Sequence, residues 1–230
     1  VHRGGAFGDV VQASTVADAL CEYGYDVHFI AGQAERVCLE GHPSIASLER
    51  HPTAQTIELD WAYENSPDFA TEHIQTLFHR VSNLGLTHKR VPQLRVSEDE
   101  RAWAQSTIGS LPKPVVGIIA HAGAWPNRQT NAEDWGNVAK AIPEVTFVNL
   151  GPHPLPQPIR TLDIIGFRKV MALIEACDLI CSVDTGPMHV AAALRKRMVV
   201  IETAFRIDLR LTDGTDYLRV PAPVECVGCM

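Results

Sequence analysis

The sequence predicts an α/β protein of two domains, each with a parallel sheet and helices packed against it. Three observations predict this. Short apolar runs with β-branched ends alternate with amphipathic helical stretches along most of the 230 residues. Glycine-containing turns follow the run at Val1-His2-Arg3 and the run Leu179 to Val183, and both lead into helices, which is the rhythm of β-loop-α units joined by right-handed crossovers. Leu111-Pro112-Lys113-Pro114 breaks the series, because two prolines cannot continue a helix and they stiffen a connector. The boundary is set there, giving domains over 1–111 and 112–230.

In chain order, residues 1–9 read as a strand end followed by the loop Gly4-Gly5-Ala6-Phe7-Gly8-Asp9. A helix is expected over Val10 to Tyr23, with Val10, Ala13, Ala17, Leu20 and Cys21 on one face and Gly24 closing it. Val27 to Ala31 reads as a second strand and Gln55 to Leu59 as a short one. Asp68 to Leu84 reads as a helix through Phe69, Ile74, Leu77, Phe78 and Val81. Ser97-Glu98-Asp99-Glu100 has the capping-box pattern and first-turn acids of a helix reaching about Ile108. Beyond the prolines come strand Val115 to Ala120, helix Ala132 to Ile142, strands Val145 to Leu150 and Leu162 to Ile165, helix Phe167 to Cys177, strand Leu179 to Val183, helix Met188 to Arg195 and strand Met198 to Ile201. Residues 203–230 carry little periodicity. Both halves have a Rossmann-like rhythm, so ligands are expected at the carboxyl ends of the strands, in a cleft between domains.

Composition narrows the class. The formal net charge is −7 and no Lys/Arg-rich block occurs, which argues against tight non-specific nucleic-acid binding. No apolar run has the length of a bilayer span, and no signal peptide is read at Val1-His2-Arg3. The opening on Val1 suggests trimming. The six cysteines do not form a secreted disulfide framework, so a reducing cytoplasm is expected. Cys226-Val227-Gly228-Cys229 has only half the thiolates of a four-cysteine zinc site, and no second CxxC follows.

Three stretches carry candidate chemistry. Asp184-Thr185-Gly186-Pro187-Met188-His189 joins a buried strand to a helix. Thr185 or Asp184 can cap that helix, Pro187 suits its first turn, Gly186 admits a ligand to the backbone and His189 can add a donor. A helix N-terminus with free N–H groups is an anion site, and phosphate is the usual anion. His121, Gly123 and Arg128 follow a strand end, where Arg128 can grip two phosphate oxygens at once. Asp9 stands at the mouth of the first sheet, where a carboxylate serves as a helix cap or as a proton acceptor.

These stretches, in this order, resemble the heptosyltransferase-like glycosyltransferases of family 9. Asp184 to Ala193 fits the D-[ST]-G-P-x-H-x-A-A-A signature. Gly8-Asp9-Val10-Val11-Gln12-Ala13-Ser14 is similar to the opening G-D-[VIL]-[VL]-x-[TA]-x-P motif. His121 to Trp135 is similar to H-x-G-[AS]-x-x-x-[KR]-x-W-x-x-[ED]-x-W. The resemblance implies the two-domain GT-B architecture and an inverting, metal-independent glycosyltransferase. Asp9 is then the general base and Arg128 the cation that meets the leaving diphosphate. It implies donor binding by His121, Gly123, Arg128, Gly151, Asp184, Thr185, Gly186, Pro187, Met188 and His189. On the acceptor side it implies Arg3, Gly4, Gly5, Phe7, Gly8 and Gln12. No cofactor or metal is implied, and no Asp-x-Asp pair of the kind that holds Mg²⁺ or Mn²⁺ occurs in the chain.

The chain departs from the pattern at several points. Thr15 stands in place of the motif's Pro, the first Trp of the second motif is lost, and the proline-rich loop after Gly151 lacks the acid expected against the ribose. The family normally continues into further helices where this chain stops. The partners implied are a nucleotide-diphosphate-sugar donor and a saccharide or other hydroxyl acceptor, such as a cell-envelope saccharide. A phage-type transferase acting on a modified nucleobase is an alternative that net acidity disfavours, and a catalytically degenerate nucleotide- or sugar-binding module is another. A Rossmann-type oxidoreductase is opposed by the absence of G-x-G-x-x-G spacing in the first loop.

Overall fold

A computed structural model describes residues 1–85, 89–123 and 126–222. The chain forms two compact units. The first is Val1–Arg95 with Asp208–Thr215, and the second is Val96–Ile207 with Asp216–Met230.

The first unit is built around helix α1, Phe7–Glu22. Residues from Gly8 to Ala19 are buried almost without interruption, the polar Gln12, Ser14, Thr15 and Asp18 among them, so this helix is enclosed on nearly all sides rather than on one face. Leu20 is only half-buried and Cys21 is exposed, so the face expected from the sequence does not extend to them. The strands expected here survive as single parallel bridges, His2 with Ile30 and with Glu58, and His28 with Ser47. The N–H of Arg3 donates to Ile30 O at 2.9 Å, Leu59 N to His2 O at 2.8 Å and Phe29 N to Ser47 O at 2.9 Å. Four extended segments therefore lie side by side, too short for a continuous ladder. Helix α2 is Ile74–Val81, shorter than the helix expected over 68–84, because turns occupy 67–72 and the His73 side chain caps the helix by accepting from Gln75 N.

The second unit opens with α3, Glu98–Ile108, whose capping box is formed: Ser97 Oγ accepts from Glu100 N and Glu100 accepts from Ser97 N. This helix packs on α5, Phe167–Ala176, through Arg101–Glu175 at 2.7 Å and the Arg168 Nε–Glu100 Oε1 bond at 2.6 Å. These ties group α3 with the second unit, whereas the boundary set at 111/112 assigned it to the first.

The six-stranded sheet runs β3-β2-β1-β4-β5-β6 and is parallel throughout. Its strands are β1 Val115–Ile119, β2 Thr146–Asn149, β3 Arg160–Thr161, β4 Leu179–Val183, β5 Met198–Ile201 and β6 Tyr217–Val220. This is the doubly wound α/β order, with the switch point between β1 and β4. β3 falls two residues before the strand expected at Leu162, and β6 lies in the stretch that carried no periodicity.

Side chains alternate along β1. Val116, Ile118 and Ala120 form a core with Trp135 and Ala139 of α4, Ala132–Ala141, and with Phe147 and Cys181. Gly117 sits where a Cβ would come within 2.6 Å of Leu150 and 2.9 Å of Ile180. Helix α6, Gly186–Ala193, follows β4 and starts two residues earlier than expected. Among the described residues no helix is long and apolar enough to cross a membrane.

Candidate functional site

In the second unit the candidate residues gather at the carboxyl ends of β1 and β4, where the strand order reverses and open α/β sheets bind ligands. The loop after β1 is fastened back to the strand. Thr130 donates to Ala120 O from its backbone N at 3.2 Å and its hydroxyl at 3.0 Å, and Trp135 Nε1 donates to the same hydroxyl at 2.7 Å. The retained tryptophan of the second motif is thus a structural clamp. Arg128 closes a single 3-10 turn, Pro126–Arg128. Its guanidinium lies 4.3 Å from the Phe205 ring centroid, and Nη1 is 3.6 Å from Asp184 Oδ2.

Asp184 is 2 % exposed, and its other oxygen is 3.7 Å from His189 Nε2. A buried carboxylate between a guanidinium and an imidazole holds both in place, and it repels rather than binds a phosphate. Thr185 is the N-cap of α6, with extended φ −161° and no side-chain cap bond, so its hydroxyl does not cap the helix in the way expected. Thr185 O instead accepts from Met188 N at 3.0 Å. Gly186 and Pro187 form the half-buried first turn, while the Met188 side chain is fully buried in the core. The helix N-terminus and Arg128 thus offer positive charge at the sheet's switch point.

His121 stands beside this cluster. Its ring packs edge-on against His153, with centroids 5.2 Å apart, and burial followed by the His153 charge lowers its pKa. His153 belongs to the proline-rich loop, which Asn149 orders by donating from Nδ2 to His153 O at 2.7 Å and accepting from Gly151 N at 3.0 Å. Gly123 is exposed with open space around it, and Ala124 and Trp125 of the motif lie outside the described residues, as do Cys226 and Cys229.

In the first unit Asp9 is not a cap: it lies in the first turn of α1, whose N-cap is Ala6. There the helix dipole favours its negative charge. Arg3 Nη2 meets Asp9 Oδ2 at 3.0 Å and Glu64 Oε1 at 2.6 Å. Arg3 is 2 % exposed, and although burial opposes its charge, Glu64 and Asp9 raise its pKa. Tyr63 and Phe78 flank the guanidinium, each centroid 5.4 Å away. Gly4 N donates to Asp60, and Gly5 takes φ +88°, which favours glycine. Phe7 and Asp9 are half-buried, and Gly8 is buried.

Gln12 is 1 % exposed and its Oε1 accepts from Gln75 Nε2 at 2.8 Å, which ties α1 to α2. Thr15 stands where the motif has proline. Its hydroxyl donates to Gln12 O at 2.7 Å and so accepts from His79 Nε2 at 3.2 Å. Sequence reasoning missed Glu64, Tyr63, Asn149, His153 and Phe205, because none stands in a motif and most are distant in the chain from the residues they support. Among the described residues one group has metal-ligand types in reach of each other, His2, Glu58 and Asp60. Within that group His2 Nδ1 and Glu58 Oε2 make a hydrogen-bond contact of 2.8 Å.

Comparisons agree with the motifs. The sequence profile of Glycosyltransferase family 9 (heptosyltransferase) matches residues 162–203, a segment that includes Asp184 to His189. No curated protein sequence matches the chain. The glycosyl transferase family 9 protein of Veillonella parvula DSM 2008 is similar in structure, with a TM-score of 0.75 at 14 % identity over 97 % of this chain and 86 % of that one. The ADP-heptose LPS heptosyltransferase II of E. coli gives 0.67 at 16 % identity over 97 % and 91 %. The iron-containing dodecameric glycosyltransferase TibC from enterotoxigenic E. coli H10407 gives 0.72 at 14 % over 99 % and 63 %. At these identities the likeness concerns the fold, which is the α/β fold of GT-B heptosyltransferases.

Proposed function

We propose that this chain transfers a sugar from a nucleotide-diphosphate-sugar to an acceptor hydroxyl, with inversion and without a metal. The observation that carries the reading is the Arg128–Asp184–His189 cluster, with Arg128 on Phe205 beside the start of α6. The chemistry asks for a cation fixed where charge develops on the leaving group and for a base at the nucleophile. The second unit carries the first and the first unit carries the second.

In the reaction, Asp9 takes the proton of the acceptor hydroxyl as the oxygen bonds to the anomeric carbon. The bond from that carbon to the diphosphate oxygen breaks in the same step, and attack from the opposite face inverts the centre. Arg128 and the N–H groups at the start of α6 meet the charge that grows on the departing diphosphate. An interaction that strengthens as the bond breaks lowers the barrier rather than only tightening binding. His121, Gly123 and Gly151 are proposed to line the donor side, and Gly4, Gly5 and Phe7 the acceptor side, which the buried Arg3 and Gly8 support from within. TibC is solved with ADP-D-beta-D-heptose, which supports a nucleotide-sugar donor of this kind without fixing the base or sugar for this chain. A cytoplasmic setting fits the free thiols of Cys38, Cys177 and Cys181.

The test is a thermal-shift series with ADP, UDP, GDP, CDP and dTDP, each with and without EDTA. A nucleotide at about a hundred times its dissociation constant stabilises by roughly 2.7 kcal/mol. One stabilising nucleotide whose effect survives EDTA supports the metal-free reading and names the donor class. A shift that EDTA abolishes overturns metal independence, and no shift with any nucleotide overturns the donor site.

A further inference from the structure

We propose that Glu64 is a positioning residue for Asp9 and acts through Arg3. The proposal rests on the reading of Asp9 as the base and adds a residue that the motifs do not contain. Arg3 Nη2 donates to Glu64 Oε1 at 2.6 Å and Nη1 to Glu64 Oε2 at 3.3 Å. Nη1 also donates to Leu59 O at 3.1 Å. Nη2 reaches Asp9 Oδ2 at 3.0 Å. A guanidinium flanked by Tyr63 and Phe78 and held by these contacts cannot swing. Its position therefore selects Oδ2 as the Asp9 oxygen it engages and leaves Oδ1 outside that contact.

Charge follows the same geometry. One buried cation serves two carboxylates. With Glu64 present, the field of Arg3 on Asp9 is offset by a second negative charge. Without Glu64, the whole cation bears on Asp9, which favours the charged carboxylate and makes it a weaker proton acceptor. The other groups that face this cluster do not compensate. Tyr63 is kept neutral by burial and then by the Asp9 and Glu64 charges, which push its pKa up. Arg210 lies 5.3 Å from the Tyr63 ring centroid and adds positive charge. Asp60, on the adjoining loop, accepts from Gly4 N.

The test is a pH titration of the full chain by NMR with ¹³C-labelled carboxyl groups, the Asp9 signal being identified by its loss in Asp9→Asn. It needs neither donor nor acceptor, so it stays readable even if the nucleotide series fails, and the two failures are distinguishable. In Glu64→Gln the Asp9 midpoint moves to lower pH by about one unit. Glu64→Asp keeps the charge but cannot span both Arg3 nitrogens, so it moves the midpoint part of that way. A residue that only supports the fold would lower stability and leave the midpoint where it is. An unmoved Asp9 midpoint in whichever of the two variants folds overturns the proposal.

Discussion

Arg128→Met removes the guanidinium and keeps much of its apolar bulk against Phe205. It leaves Asp184, 2 % exposed, as a buried carboxylate without the Arg128 charge that stands 3.6 Å away. At the 3.6 Å separation of Arg128 and Asp184 the attraction is about 5 kcal/mol for an effective dielectric near 20. Breaking one side of a buried pair costs roughly 3–5 kcal/mol, and the partial exposure of Arg128 puts this case at about 3 kcal/mol. Asp184→Asn in the same chain removes the stranded charge, so the double variant should recover at least half of that loss. Binding should not follow stability. A charge-assisted bond to phosphate contributes roughly 1.5–3 kcal/mol, so both the single and the double variant should bind the preferred nucleoside diphosphate about 10- to 100-fold more weakly. Urea melts read the first quantity and titration calorimetry the second. A double variant that binds like the wild type would refute the assignment of Arg128 to the diphosphate. A single variant as stable as the wild type would refute the coupling to Asp184.

Two further outcomes follow from packing and burial. His79 is held neutral, its pKa lowered to about 4 by burial and then by the Arg90 charge. An unfolded histidine titrates near 6.5, so its contribution is intact above that pH and is lost as pH falls from about 6.5 toward 4, by up to about 3 kcal/mol. Urea midpoints at pH 7.5 and 4.5 should therefore diverge less in His79→Gln than in the wild type, and equal divergence would remove His79 as a cause. Gly117→Ala places a methyl 2.6 Å from Leu150 and 2.9 Å from Ile180 in the middle of the sheet. Both neighbours offer side-chain tips that can shift, so the loss should be about 1–2 kcal/mol in a denaturant melt, and an unchanged midpoint would show that the core relaxes freely there.

The second unit was legible because β1 and β4 are buried on both faces, and β5 on one face and partly on the other. Val115–Ile119, Leu179–Val183 and Met198–Ile201 read as near-continuous apolar runs, and each strand forms where the run lies. The edges gave no such signal. Arg160–Thr161 is exposed and only two residues long, and Tyr217–Val220 is exposed along most of its length, so neither has a pattern to read. In the first unit the apolar segments exist, but each pairs through single bridges, which a periodicity argument cannot foresee. The Asp184–His189 turn was legible as a strand–turn–helix junction with its residue types in order. The groups that hold the catalytic candidates were not, because Glu64 reaches Arg3 and Phe205 reaches Arg128 only through tertiary folding.

The most direct test of the account compares Asp9→Asn with the wild type, using hydrolysis of the nucleotide sugar whose nucleotide stabilises the chain and calorimetric binding of that nucleotide. Asp9 Oδ2 is held by Arg3 in the first turn of α1, and asparagine keeps its shape without its capacity to take a proton. Asp9→Asn should keep its nucleotide affinity and lose turnover by about 10²-fold or more. Turnover equal to that of the wild type would contradict it.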